Sequence, residues 1–340
     1  MNAPDIIFPH LGIKIAHLGR NISIGNFTIA YYGILIAIGM LLGVTLIMKL
    51  AERDGDNSEN YMDMALITLV LGVIGARIYY VIFRWDSYKD TPLQILNLRG
   101  GGLAIYGGIL VGIVSVVVFC RIKKMNLLKT MDNCIFGVAL GQGIGRWGNF
   151  FNCEAFGGNT DSLFAMQIKS SLVNTYILNH SLETTMVDGT EYVSVHPTFF
   201  YESVLCFCIV GLLFLMHKYK RVDGMCISLY FILYGCGRFF IEGLRTDQLQ
   251  IGSTGIAVSQ IVSVGLVLAG IAIIVWRNLA ATKNPELLVA NRKAREKAAE
   301  TNADENRNTQ DGASDDSSDP TLQENTDMEQ TKNEKKSWRK

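Results

Sequence analysis

Gly145-Arg146-Trp147-Gly148-Asn149-Phe150-Phe151-Asn152-Cys153-Glu154-Ala155-Phe156-Gly157 closes a long apolar run. A guanidinium, two carboxamides, a thiol and a carboxylate alternate there with small and aromatic residues. Placing an arginine in a membrane segment costs about 2.5–3.5 kcal/mol on insertion scales, so such residues face a site or a water-filled cavity. A chain that leaves a bilayer through so many polar groups therefore carries them for a purpose, which depends on what else reaches the same depth.

The composition mixes two regimes. Hydrophobic residues make up 49% of the 340 and the formal net charge is zero. Residues 25–280 are strongly apolar, whereas the last part of the chain is nearly free of large hydrophobes. Basic residues are dispersed or sit where membrane topology places them, so no nucleic-acid partner is expected. No basic region followed by an apolar core and a small-residue cleavage site opens the chain, so no cleaved signal peptide is expected. The cysteines, Cys120, Cys134, Cys153, Cys206, Cys208, Cys226 and Cys236, show no CxxC or Cys/His spacing. Neither a metal nor another cofactor is expected.

Seven apolar runs approach the ~20 residues that a spanning helix needs. They cover roughly Ile29–Met48, Met64–Phe83, Leu103–Cys120, Cys134–Phe151, Phe199–Met216, Met225–Ile241 and Gly255–Trp276. Gly39/Gly43, Gly108/Gly112 and Gly137/Gly141/Gly145 stand four apart, a spacing that lets helices approach closely in lipid. One set of loops holds Lys49, Arg53, Arg121, Lys123, Lys124, Lys129, Lys218, Lys220, Arg221, Arg277 and Lys283. The opposite set holds only Arg84, Lys89, Arg99, Lys169 and Arg245. By the positive-inside rule the first set is cytoplasmic, with the N-terminus outside and the C-terminus inside. The expected fold is an all-α integral membrane protein of seven transmembrane helices with a small extracytoplasmic cap.

Three further segments complete the organisation. Residues 1–25 form an amphipathic lead suited to the membrane surface, carrying Ile6, Ile7, Phe8, Leu11, Ile13, Ile15 and Leu18. Residues 26–282 form the helical domain. Its 152–197 segment is too polar to span and reads as the cap, with strands expected at 164–168 and 191–195. Residues 283–340 pass from a basic helical stretch, Asn291–Glu300, into a charged cytoplasmic tail whose composition predicts disorder.

With that topology, polar residues collect at the outer ends of six helices. Tyr31 and Tyr32 start the first, Arg77 lies near the end of the second, and Tyr106 opens the third. Arg146, Asn149 and Asn152 close the fourth, His196, Tyr201 and Glu202 introduce the fifth, and Arg238, Glu242 and Arg245 finish the sixth. Arg238, Glu242 and Arg245, spaced by four and three, share a helix face. The inner half is expected to hold almost no polar groups. Singly, each arginine is as well explained by snorkelling or an i,i+4 pair. Together they exceed the nearby carboxylates, Glu154, Glu202 and Glu242, and a guanidinium excess in low dielectric suits a phosphate. The anion available at that depth is a phospholipid head group. An organic-anion transporter, or another phospholipid-active membrane enzyme, is the competing class. A transporter requires polar groups continuing inward or broken helices in two related halves, and a phospholipase lacks a GxSxG elbow here.

The same residues carry a family likeness. GRWGNFFNCEAFG resembles the signature of bacterial prolipoprotein diacylglyceryl transferases. So do Tyr31-Tyr32-Gly33, Gly75-Ala76-Arg77, Gly101-Gly102-Leu103-Ala104-Ile105-Tyr106-Gly107-Gly108, His196-Pro197-Thr198-Phe199-Phe200-Tyr201-Glu202 and Tyr234-Gly235-Cys236-Gly237-Arg238-Phe239-Phe240-Ile241-Glu242-Gly243-Leu244-Arg245, in the family's order across residues 10–280. The resemblance implies a protein of the bacterial cytoplasmic (inner) membrane with its active site toward the outer leaflet. It implies transfer of the sn-1,2-diacylglyceryl group of phosphatidylglycerol to the lipobox cysteine thiol of prolipoproteins. The product is a thioether, glycerol 1-phosphate leaves, and lipoprotein maturation begins. By motif match, Arg146 and Arg238 are the first catalytic candidates, with Asn149 and Glu154 organising the loop, and Tyr106 beside them. Arg245, Arg77, Tyr32, Glu242, His196 and Glu202 are expected to bind phosphatidylglycerol alongside Arg146 and Arg238. Many relatives carry histidine where Tyr106 stands, and a neutral tyrosine, with pKa about 10, is a poor base. Either arginines depress Tyr106, or Tyr106 only hydrogen-bonds the lipid and the arginine field ionises the thiol; the second is favoured. His196 is a further base candidate. His10, His17, His180 and His217 read as surface or interfacial, and Cys153 is not expected to accept the lipid itself.

Overall fold

The computed structural model describes residues 3–25, 27–97, 101–175, 177–178, 182–250, 255–295, 297–298 and 301. Arg99, Gly100, His180, part of the basic stretch and the tail from 302 onward, with its expected disorder, lie outside the described residues. The chain divides into two units, residues 1–282 and 283–340. In the second, a 3-10 turn at Pro285–Leu287 is capped by the Asn284 side chain, and Arg295 pairs with Glu286 at 3.1 Å.

The long helices of the first unit are α1 (Tyr31–Arg53), α2 (Ser58–Phe83), α3 (Ile105–Ile122) and α4 (Leu127–Asn152). α5 (Thr198–Tyr219), α6 (Met225–Leu244) and α7 (Val258–Lys283) follow. Six of them, all but α4, are long and apolar enough to cross a membrane. Their apolar side chains face outward in bulk: Leu41 is 70% exposed and Phe240 73%. Water does not tolerate an apolar surface of that extent on a folded domain, and lipid does. α4 is the least apolar because it packs against α1, α5 and α6 instead of facing outward. Its interior positions hold Gly137 and Gly141. A Cβ on Gly137 would stand 2.6 Å from the Gly43 carbonyl, so backbones touch along the α1–α4 seam.

Among the described residues the strands are β1 (Ile6–Phe8), β2 (Ile13–Ile15), β3 (Asn21–Ile24), β4 (Phe27–Ala30), β5 (Met166–Lys169), β6 (Thr184–Val187) and β7 (Thr190–Val195). β3 and β4 form a hairpin; the others make an antiparallel sheet of order β2-β1-β5-β7-β6. The helical description therefore holds for the bundle alone, and the cap is β. Both strands expected in the 152–197 segment are present, as β5 and β7, with β6 added. The lead read as a membrane-surface segment instead supplies β1 and β2, pairing Ile6 with Ile168. Ile6 and Ile168 are fully buried there with Val193 and Val195, against Phe150 of α4 and Phe199 of α5. Burial in a shared core removes those apolar side chains from water more completely than a surface helix would. The cap is thus seated on the two helix ends that carry the polar motifs.

The far end of the bundle differs from expectation. Lys220 lies between Asp54 at 3.3 Å and Asp132 at 3.9 Å, His217 contacts Asp54 at 3.3 Å, and Lys129 pairs with Asp56 at 2.6 Å. Burial alone would raise the Asp54 carboxyl, but hydrogen bonding to His217 and the Lys220 charge outweigh it and hold it well below the usual range. The loops at that end were expected to carry bases, but the inner half of the bundle itself was expected to hold almost no polar groups. α4, however, begins at Leu127, ahead of its apolar run, and so draws Lys129, Asp132 and Asn133 into the helix. His217, expected to be surface or interfacial, joins this network with its side chain 15% exposed, while His10 and His17 lie at the cap surface. Ile135, Phe136, Ala139, Ile209 and Leu213 form an apolar core at the helix positions between the two polar ends.

Candidate active site

At the cap end, Glu202 is the hub. It lies one turn into α5, 1% exposed, and takes Arg146 Nη2 of α4 at 2.6 Å and Arg238 Nη1 of α6 at 2.7 Å. The Tyr234 hydroxyl donates to it at 2.9 Å. Arg238 Nη2 also meets Glu242 at 2.5 Å, one turn along the same helix. Three helices are therefore joined through one carboxylate, and the buried charges are paired, as low dielectric requires. Trp147 adds a second tie, donating from Nε1 to Ser203 Oγ at 3.1 Å, which places it between α4 and α5.

α4 ends where Cys153 adopts a left-handed φ of 50°, and the Glu154 amide turns back to the Asn149 carbonyl at 3.1 Å. That reversal brings the Glu154 carboxylate within 3.1 Å of both Asn149 Nδ2 and Asn152 Nδ2, and Asn149 Oδ1 faces Arg146 at 3.4 Å. Gly157 then passes between α5 and α6, its amide on the His196 carbonyl at 2.9 Å. A Cβ there would lie 2.8 Å from both His196 Cβ and the Leu244 carbonyl. Only glycine permits that approach.

The structure thus brings together Arg146, Asn149, Glu154, Glu202, Arg238 and Glu242, with Arg245 beyond them. Arg245 reaches Glu242 only at 3.9 Å and is held bidentately by Asp247 at 2.9 and 2.8 Å. Asp247 was missed, because it follows the last motif in a loop without periodicity. Tyr234 was also missed, although it stands four residues before Arg238. These acids cancel the arginines: Arg146 and Arg238 face Glu202 and Glu242, and Arg245 faces Asp247. The expected guanidinium excess is absent.

Arg77 is not part of the group. Its Nε donates to the Ile95 carbonyl, Nη1 to Gly101 and Gly102, and Nη2 to Gln94 and Asn97, at 2.7–3.1 Å. All five guanidinium N–H groups are thereby used on one loop. Tyr106, at the start of α3, is 39% exposed and makes no hydrogen bond to the arginine group. Tyr32 lies against Gly148, where a Cβ would collide with its ring. His196 Nδ1 contacts the Tyr201 hydroxyl at 3.3 Å, and burial lowers its pKa, favouring the neutral ring. Burial also pushes the Cys153 thiol up to about 11, which favours the protonated thiol at neutral pH.

Apolar helices around a charge-paired polar group, with a β cap at one end, define a multi-pass membrane protein. A family model described as prolipoprotein diacylglyceryl transferase matches residues 20–276. The chain belongs to that family. It is 43% identical over 250 residues to the phosphatidylglycerol–prolipoprotein diacylglyceryl transferase of Finegoldia magna, covering 73% of this chain and 91% of that protein. Similar figures hold for the proteins of that name from Clostridioides difficile (44% over 243 residues, 72% and 88%) and Bacillus cytotoxicus (38% over 256 residues, 75% and 90%).

Proposed function

We propose that this chain transfers the sn-1,2-diacylglyceryl group of phosphatidylglycerol to the lipobox cysteine thiol of prolipoproteins, the first step of lipoprotein maturation. The observation that carries it is the convergence of Arg146 and Arg238 on Glu202. The carboxylate fixes both guanidiniums yet does not exhaust their N–H groups, so donors remain for a lipid phosphate. The thiol sulfur attacks the glycerol carbon, the carbon–oxygen bond breaks, and its electron pair leaves on the phosphate oxygen as glycerol 1-phosphate. Charge grows on that oxygen, where fixed guanidinium donors stabilise the transition state.

Asn149 and Glu154 hold Arg146 from the loop side, Glu242 holds Arg238, and Arg245 stands at the rim. Arg77 positions the loop before α3 instead of binding phosphate. Pairing with acids weakens the arginine field as the agent that ionises the thiol, since a free thiol of pKa about 8.5 is mostly protonated at neutral pH. A proton acceptor is then required, and Tyr106 and the neutral His196 are the candidates. Tyr106→Phe with near-normal turnover and pH dependence excludes the tyrosine.

α4 acts as a seventh span, supported by its place among α1, α5 and α6. The loop charges support an outer-leaflet site, with the N-terminus outside the cytoplasmic membrane. The decisive test is incubation with phosphatidylglycerol vesicles and a lipobox-cysteine peptide, read by mass spectrometry for a diacylglyceryl thioether. No adduct, or an equal one on a cysteine-to-serine peptide, overturns the assignment.

A further inference from the structure

A cleft of about 480 Å³ is walled by residues 152–156 at the end of α4, the 171–174 turn of the cap, Arg20 and Asp247. That volume falls within the range of ligand sites. Ala155 and Phe156, which line it, are 9% and 3% exposed. Backbone accounting across this wall is uneven. The amides of Cys153, Glu154, Gly157 and Gly158 all reach carbonyl acceptors. Those of Ala155 and Phe156 reach none among the described residues. The Ala155 carbonyl accepts from Thr198 Oγ1, and the Phe156 carbonyl from Thr246. Within a trans peptide unit the N–H opposes the C=O, so the Phe156 amide is aimed away from α5. Buried backbone amides without an acceptor are rare and call for one.

The rim chemistry selects the acceptor. Glu154 and Asp247 carry negative charge beside Arg20, whose Nη2 is engaged by the Leu172 carbonyl at 2.9 Å. Two carboxylates disfavour a phosphate. A polypeptide backbone, which is neutral and offers carbonyls to amides and amides to carboxylates, suits both sets of groups. The cleft also adjoins the catalytic group, because Glu154 on its wall bonds Asn149, which faces Arg146.

We propose that this cleft seats the backbone of the acceptor polypeptide immediately after the cysteine to be modified, its carbonyls taking the Ala155 and Phe156 amides. The proposal rests on the transferase assignment and adds where the protein substrate is held. The apolar segment before the cysteine stays in lipid, the thiol reaches the Arg146 level, and the exported residues lie under the cap.

Two measurements test it. Ser171→Trp and Asn174→Trp fill the cleft from exposed rim positions, with Ser171→Ala as the conservative control. Steady-state kinetics with a lipobox peptide and phosphatidylglycerol micelles should show the tryptophan variants raising KM for the peptide about tenfold or more. KM for the lipid should stay within about twofold, and Ser171→Ala should match the parent. Unchanged peptide KM in both tryptophan variants, or a rise confined to the lipid KM, overturns the proposal. The second outcome assigns the cleft to the lipid's glycerol head group.

The second measurement needs no variant of the enzyme. A lipobox peptide with serine for cysteine and a benzophenone residue two positions later is irradiated with the unaltered protein. Cross-links should map to 152–156, 171–174 or 177; cross-links only elsewhere overturn the proposal. Absence of any adduct from the parent enzyme and a cysteine peptide is a separate failure, that of the transferase assignment itself.

Discussion

Replacing Glu202 with glutamine is the most informative perturbation of the site. The shape is kept, but one carboxylate oxygen becomes an amide that can only donate. Arg146 at 2.6 Å and Arg238 at 2.7 Å both need acceptors, so one of them faces a donor. Breaking a buried ion pair from one side costs about 3–5 kcal/mol, because a charge is left without compensation. Part of this appears as lower thermal stability. The rest appears as displacement of the freed guanidinium, and a shift of about 1 Å in a positioning group costs on the order of a hundredfold in rate. The expected result for Glu202→Gln is a kcat about a hundredfold down and a lower melting temperature. KM for phosphatidylglycerol should be unchanged or lower, since the site gains a net positive charge. Glu242→Gln should lose less, because Glu242 closely contacts only Arg238. The assay is initial-rate transfer to a lipobox peptide, with gel filtration to confirm a folded protein. A Glu202→Gln enzyme within about threefold of the parent kcat, with unaltered stability, would refute the hub role.

Other consequences follow from neighbouring geometry. Arg77→Lys has three donors for five carbonyls and should lose about 2–4 kcal/mol of stability, measured by thermal unfolding in detergent, with kcat per folded molecule nearly retained. Cys153→Ser should keep transfer within a few-fold, and Cys153 should alkylate slowly at neutral pH. Loss of all activity in a folded Cys153→Ser protein would reinstate a covalent role. His196 titrates below its ordinary value of about 6.5 in the folded state, so the unfolded chain binds the extra proton first on acidification. Its contribution to stability is full above that pH and declines as pH falls toward the folded value. Melting curves of the parent against His196→Asn should diverge only across that acidic window.

Much of the molecule could be read from local composition. A run of apolar residues is long enough to span whatever its neighbours do, so the helix positions follow from hydropathy alone, within several residues at each end. Arg146, Asn149, Arg238 and Glu242 could be placed together because spacings of three and four fix a helix face. Glycines four apart on α1 and α4 announced the seam that Gly43 and Gly137 form. Tertiary structure decided what lies between distant segments. Ile6 finds Ile168 across nearly half the chain, a partner that no periodicity encodes. Arg77 looked like Arg146 in sequence, yet loop carbonyls saturate one and a single carboxylate leaves the other with donors to spare. Lys129 and Asp132 entered the bundle because their charges could be paired with Asp56 and Lys220 on other elements. Asp247 cancelled a charge that appeared free. Hydrophobicity is additive along a segment and therefore visible in sequence; charge compensation is a property of pairs, and pairs are made only when the chain folds.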